Sequence, residues 1–206
     1  MTSWNTELNE EQIDSLKEVG NIGAGHAASQ LARLIGRKCV VGVPELCVMD
    51  SLRFDDLIRD PDAMVVALHM RVLGDIPASM LVLTRRAHAQ LILDYMSPSA
   101  APQTVYGEEA FEQALRQLAE VLTRSFADAI AQFLGVNARY SFAGALTGVN
   151  AGDLSALLFP DTENRHHLAI QANFFDIEDT FQGKLVYLLS PDSQAMILER
   201  IDELLG

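Results

Sequence analysis

The order of apolar segments in this chain is written twice, and that constrains the fold more than any other feature. A long helical pattern over about 10–36 precedes alternating apolar segments near 39–50, 63–73 and 78–84, and a short helix at about 86–97. The stretch "SPSAAPQT" at 97–104, rich in proline and small residues, reads as a linker. The same order then returns: a long helix at about 108–135, strands near 138–147, 155–160, 166–174 and 183–190, and a closing helix over 191–205. A shift of 102 lays Glu18 on Glu120, Ala28 on Ile130 and Leu31 on Phe133; a shift of 105 lays Leu91–Asp94 on Met196–Glu199. The expectation is an α/β chain with an internal tandem repeat. One domain (1–206) would consist of two pseudo-symmetric halves, 8–97 and 108–206, whose helices cover a continuous sheet.

The 206 residues suffice for one generous domain or two intertwined halves. A formal charge of −13 argues against nucleic acid and against an anionic membrane surface as partners. "MTSWNTELNEEQ" has neither a basic start nor an apolar core, so no secretory signal is expected, and no apolar run is long enough to span a bilayer. Cys39 and Cys47, eight apart, form neither a CxxC pair nor a disulfide framework, so reduced thiols and a cytoplasmic location are expected.

The first long helix carries an unusual surface. Asn9 with Gln12 three residues on forms a capping box, and Glu10 and Glu11 suit the positive end of the dipole. Ile13, Leu16, Ala24, Ala27, Leu31 and Leu34 define the buried side. At roughly 100° per residue, Asp14, Glu18, Asn21 and Gly25 fall on one narrow stripe away from it. Gly20, Gly23 and Gly25 crowd the same helix, each costing about 1 kcal/mol relative to alanine. Gly25 on the stripe would let an incoming surface approach the backbone, while Gly20 and Gly23 would allow close packing on the sheet or the sister helix. Charges on an exposed helix face are ordinarily just solvated, and pattern alone leaves that reading open.

Other chemistry finds little support. "GNIGAG" lies two or more turns inside a helix, whereas a phosphate-cradling loop follows a strand and opens a helix. The histidines His26, His69, His88, His166 and His167 form no HxxxH or HExxH pair, so no metal or other cofactor of its own is expected. No serine sits in a GxSxG elbow.

The spacing Asp14–x3–Glu18–x2–Asn21–x22–Pro44, with "EVGNIGAGHAASQL" around it, resembles the signature of the CheC/CheX/FliY phosphatases of bacterial chemotaxis, and the length and duplication resemble CheC. The resemblance implies paired long helices on a largely antiparallel sheet. It also implies a substrate, the phosphoaspartate of the response regulator CheY, with Mg2+ held by the regulator. Asn21 would orient the attacking water: a carboxamide both donates and accepts, and its neutrality avoids repulsion by phosphoryl oxygens. Glu18 would pair with a lysine of the regulator. Asp14, Gly25 and Pro44 would belong to the binding surface, with Pro44 fixing a turn into a strand.

In the second half the 102 shift brings Arg116, Glu120, Thr123 and Leu146 to the motif positions. Glu120 and Thr123 then form at most a degenerate second site, because Thr123 lacks an amide and Arg116 is placed to neutralise Glu120. The alternative function is that of a regulator binding CheD, the receptor-modifying deamidase, with little phosphatase activity. Because one chain supplies both halves, a monomer is expected.

Overall fold

A computed structural model describes residues 8–50, 65–96, 107–149 and 166–205. Helix α1 (Glu10–Ile35) starts as its sequence dictates. The Asn9 side chain accepts from the Gln12 N–H at 2.8 Å, and the Gln12 side chain accepts from the Asn9 N–H at 3.2 Å. It ends at Gly36, whose φ of 66° is the left-handed conformation that glycine adopts without strain. Strands β1 (Cys39–Val41), β2 (Glu45–Asp50), β3 (Val65–Gly74) and β4 (Ala78–Arg85) follow, then α2 (Arg86–Met96). The second half contributes α3 (Glu108–Leu134), β5 (Ala138–Val149), β6 (His166–Asp176), β7 (Gln182–Leu189) and α4 (Pro191–Leu205). Helix α3 closes on Gly135, again at φ 66°, with the Val136 N–H donating to the Ala131 carbonyl at 2.9 Å. The expected strand at 155–160 and the linker at 97–104 lie outside the described residues.

The seven described strands form one antiparallel sheet in the order β1-β6-β7-β4-β3-β5, with β2 also pairing β6. The order shows how the halves share it. Strands β1 and β2 of the first half pair with β6 of the second, and β5 of the second pairs with β3 of the first. The hairpins β3–β4 and β6–β7 meet in the middle through β4 and β7, from Ala78↔Leu189 to Thr84↔Gly183. Each half therefore lends its first strands to the other, and the halves are intertwined.

One face of this sheet is covered by the helices. Val66, Leu68 and Met70 of β3, Met80 and Val82 of β4, Leu168, Ile170 and Phe174 of β6, and Leu185 and Tyr187 of β7 share one core with side chains of all four. Helices α1 and α3 pack on each other, with Gly23 seated against Phe126, whose ring lies 5.8 Å from that of Tyr187.

Matching aspartates secure the exchange. Asp75, in the β3–β4 turn, accepts from the Asn137 N–H at 2.8 Å and from its side-chain amide at 3.1 Å. Asp176, the last residue of β6 before the β6–β7 turn, accepts from the Thr180 N–H and hydroxyl, both at 2.7 Å, and lies 3.5 Å from Arg37. Each turn thus grips the segment after the long helix of the other half. Burial alone would raise the pKa of Asp176, but donors from Thr180 and Phe181 and the Arg37 charge reverse that and hold it below the usual carboxylate value. Arg37 also pairs with Glu178 and stacks 4.4 Å from the centre of the Tyr95 ring.

Candidate functional site

The α1 stripe emerges as its spacing dictates. Leu16, Val19, Gly20, Gly23, Ala24 and Ala27 are buried, while Asp14, Glu18, Asn21 and Gly25 are exposed. Asp14 lies 3.8 Å from Lys17, an exposed pair of small energetic value. Glu18 and Asn21 have no hydrogen-bond or ion-pair partner among the described residues. A carboxylate and a carboxamide three residues apart thus project from neighbouring turns with their bonding capacity unspent on the fold.

The three glycines have three separate reasons. A Cβ on Gly20 would fall 2.9 Å from Ile170 Cγ2 and 3.0 Å from Pro44 Cβ, so the helix seats on the sheet only without one. A Cβ on Gly23 would lie 3.0 Å from the Phe126 carbonyl oxygen, which is the close approach of the two long helices. Gly25 meets nothing within 4 Å: the fold does not require its glycine, and the stripe is left bare there. The Ser29 hydroxyl donates to the Gly25 carbonyl at 2.9 Å.

Pro44 corrects an expectation. It is buried, not part of a contact surface, and packs beneath α1 against Gly20. The segment Gly42–Pro44 interrupts the strand between β1 and β2, as a residue without an N–H must interrupt a ladder. Proline and glycine at this spacing therefore form a packed pair that fixes the height of the helix over the sheet.

The second half needs a larger correction. Gly36 and Gly135 close the two long helices in the same conformation, 99 residues apart, and Cys39 and Ala138 open the next strands at the same offset. Buried positions agree at that offset: Leu16 with Leu115, Val19 with Leu118, Leu31 with Ile130, Ile35 with Leu134. The register between the helices is thus 99, not 102. Thr123 corresponds to Ala24 and faces the core, 0% exposed, its hydroxyl without a hydrogen-bond partner among the described residues; it belongs to no surface site. The positions of Glu18 and Asn21 are occupied by Gln117 and Glu120, and that of Pro44 by Ala143. Glu120 accepts from Arg116 Nε at 3.0 Å, as expected, and Arg116 also lies over the Phe142 ring at 5.2 Å. Sequence reasoning passed over Gln117 because matching Glu18 to Glu120 overrode the signal in the two terminal glycines.

No described group of three or more His, Cys, Asp or Glu is arranged to hold a metal ion. Cys39 and Cys47 are not joined in a disulfide, and burial, then the nearby Asp176 charge, pushes the Cys39 thiol up to about 11. No described helix is long and apolar enough to cross a membrane.

Helices thus cover one face of an antiparallel sheet, and the first of them carries an exposed Glu-x2-Asn stripe. A model of the CheC-like family matches residues 11–47, which run from α1 into β2. The chain is 31% identical over 126 residues to the CheY-P phosphatase CheC of Bacillus subtilis (strain 168), a match that spans 60% of this chain and 60% of that protein. In three dimensions it is similar to FliY of Thermotoga maritima, with a TM-score of 0.74 at 18% identity over 95% of this chain and 98% of that one. The FliM middle domain from H. pylori matches with a TM-score of 0.60 at 11% identity, covering 94% of this chain and 99% of that one. The chemotaxis protein CheX from Desulfovibrio desulfuricans matches with a TM-score of 0.57 at 10% identity, covering 84% and 99%. At such identities the structural likenesses establish the fold alone.

Proposed function

We propose that this chain hydrolyses the phosphoaspartate of a CheY-type response regulator. Water attacks phosphorus in line with the bond to the aspartyl oxygen; that bond breaks, the carboxylate leaves, and inorganic phosphate is released. The transition state is loose, so placement of the water and of nearby charge contributes most of the acceleration. Asn21 enters the regulator's pocket and holds the water between its carbonyl oxygen and amide. Glu18, one turn earlier, pairs with a lysine of the regulator and fixes the register of docking. The Mg2+ required by the phosphoryl group is carried by the regulator and offsets the charge developing there. The observation that carries this reading is the exposed Glu18–Asn21 pair, without a partner among the described residues, on a helix seated by the Gly20–Pro44 contact.

The test follows phosphate release from an acetyl-phosphate-charged regulator of the same organism with Mg2+. Wild type should accelerate it, and Asn21→Ala should slow the catalysed rate roughly a hundredfold, as removal of one positioning or charge-stabilising group does elsewhere. Spontaneous decay unaltered by the wild-type protein would reject the enzymatic reading.

A further inference from the structure

Strand residues alternate between the two faces of a sheet. Met70 and Val72 of β3, Met80 of β4, Leu168 of β6 and Leu189 of β7 belong to the helix-covered core. Arg71, Leu73, Ser79, His167 and Leu188 therefore turn to the opposite face, where the pairing sets Arg71 across from Ser79 and Ser79 across from Leu188. A cavity of about 260 Å³ opens there, beside the β3–β4 turn, lined by these five and by Pro77 among others. None of its lining residues is acidic, although Asp and Glu outnumber Lys and Arg by 28 to 15 in the chain. Arg71 is exposed and has no hydrogen-bond or ion-pair partner among the described residues. Arg139 of β5, paired with Leu73 and so on the same face, also has none.

Behind Ser79 stands His69, 4% exposed, with Nε2 3.2 Å from Ser79 Oγ and Nδ1 without a hydrogen-bond partner among the described residues. Burial, then the Arg71 charge, lowers its pKa to about 4, so at neutral pH the ring is uncharged and carries one N–H. With that proton on Nε2, His69 donates to Ser79 Oγ, and the Ser79 hydroxyl proton is left to point into the cavity. Ser190, also on the wall, is spent on the fold: its Oγ accepts from the Ser193 N–H at 3.2 Å at the start of α4. A guanidinium fork suits two oxygens of one anionic group. The volume falls just below the roughly 300–1,000 Å³ of sites for drug-sized ligands, which points to a smaller molecule. We propose that this cavity binds a small organic anion whose head is a phosphoryl or carboxylate group. Arg71 grips the head, Ser79 donates to it, and Leu73, Pro77 and Leu188 cover the apolar body. The sheet separates this cavity from Asn21 on α1, so the proposal stands apart from the phosphatase reading.

The experiment titrates the full chain with phenylphosphonate, benzoate and inorganic phosphate by calorimetry at low ionic strength, where a charged contact is least screened. Phenylphosphonate or benzoate should bind saturably and more tightly than inorganic phosphate, and the better of the two identifies the head group. Arg71→Ala should weaken binding about tenfold or more, and Arg71→Lys should recover part of the loss, since it keeps the charge without the fork. Ser79→Ala should weaken binding less, and Asn21→Ala should bind as wild type does. Thermal melts of the Arg71 variants should match wild type, because the side chain is exposed. Inorganic phosphate binding as tightly as the aromatic probes, with the same dependence on Arg71, sustains the site and assigns it to the free anion. Absence of saturable binding by all three probes, or affinity unchanged in Arg71→Ala, overturns the proposal. No arm uses a response regulator, so neither result bears on whether phosphate release is catalysed.

Discussion

Helices α1 and α3 share a register of 99 and bury the same positions, yet they differ in what they expose. At each glycine of α1 the sister helix carries a side chain: Ala119 for Gly20, Leu122 for Gly23, Arg124 for Gly25. Where Pro44 separates two strands beneath α1, Ala143 lies inside the single strand β5, at a bulge in its pairing with β3. Glu120 of α3 is paired with Arg116, while the Glu18 carboxylate and the Asn21 carboxamide have no partner among the described residues. A fold needs only the buried face of such a helix. The bare stripe of α1 and its polar groups without a partner among the described residues are features that α3 shows the scaffold can do without, and the proposed function rests on them.

The largest contrast is chemical. Asn21→Ala should lose about two orders of magnitude in phosphate release, while Glu120→Ala at the matching position of α3 should leave the rate within twofold. Equal losses at the two positions would erase the distinction.

Next comes the contrast between the turn clamps. Asp176 is 1% exposed and Asp75 lies at the surface. Both have pKa values held below the usual carboxylate range, Asp75 chiefly by its hydrogen bonds from Asn137. A depressed folded pKa means that the stabilisation is present above the unfolded value near 3.9 and is lost as pH falls through the lower, folded one. Asp176→Asn should cost about 2 kcal/mol at neutral pH, through weakened charge-assisted hydrogen bonds. It should also flatten the acid limb of stability below about pH 4, read by urea unfolding. Asp75→Asn should do less, and a reversed order would mean that the clamps are not equivalent in kind.

The glycines offer a smaller but sharper test. Gly25→Ala meets open space and should stabilise α1 by up to about 1 kcal/mol while slowing phosphate release. Gly20→Ala must push Ile170 and Pro44 aside, so the overpacking cost of roughly 1–3 kcal/mol should exceed the helical gain. Melting temperatures that move in opposite directions would confirm the two roles.

Thr123→Val removes a buried hydroxyl that has no partner among the described residues and should raise stability by less than about 1 kcal/mol with phosphate release unchanged. A loss of activity would restore α3 as a site.

Much of this was legible in the chain. The capping box at Asn9, the amphipathic faces of both long helices and the exposed stripe at Asp14, Glu18, Asn21 and Gly25 follow from spacing, because a helix maps sequence onto faces by local geometry alone. The split of the segment at 39–50 into two strands and the burial of Pro44 were not legible, because they depend on what lies beneath α1. The register of the second half was misread by three residues: matching side-chain types can slide along a helix, whereas the terminal glycines, fixed by backbone conformation, cannot.

Sequence by itself determined the long helices, their caps and the polar stripe, since each rests on interactions within a few turns of chain. Tertiary structure alone decided that the halves exchange strands, that Gly20 and Pro44 act as one packed contact, and that Thr123 faces inward. Those outcomes depend on side chains distant in sequence competing for the same space, and local periodicity carries no information about that competition.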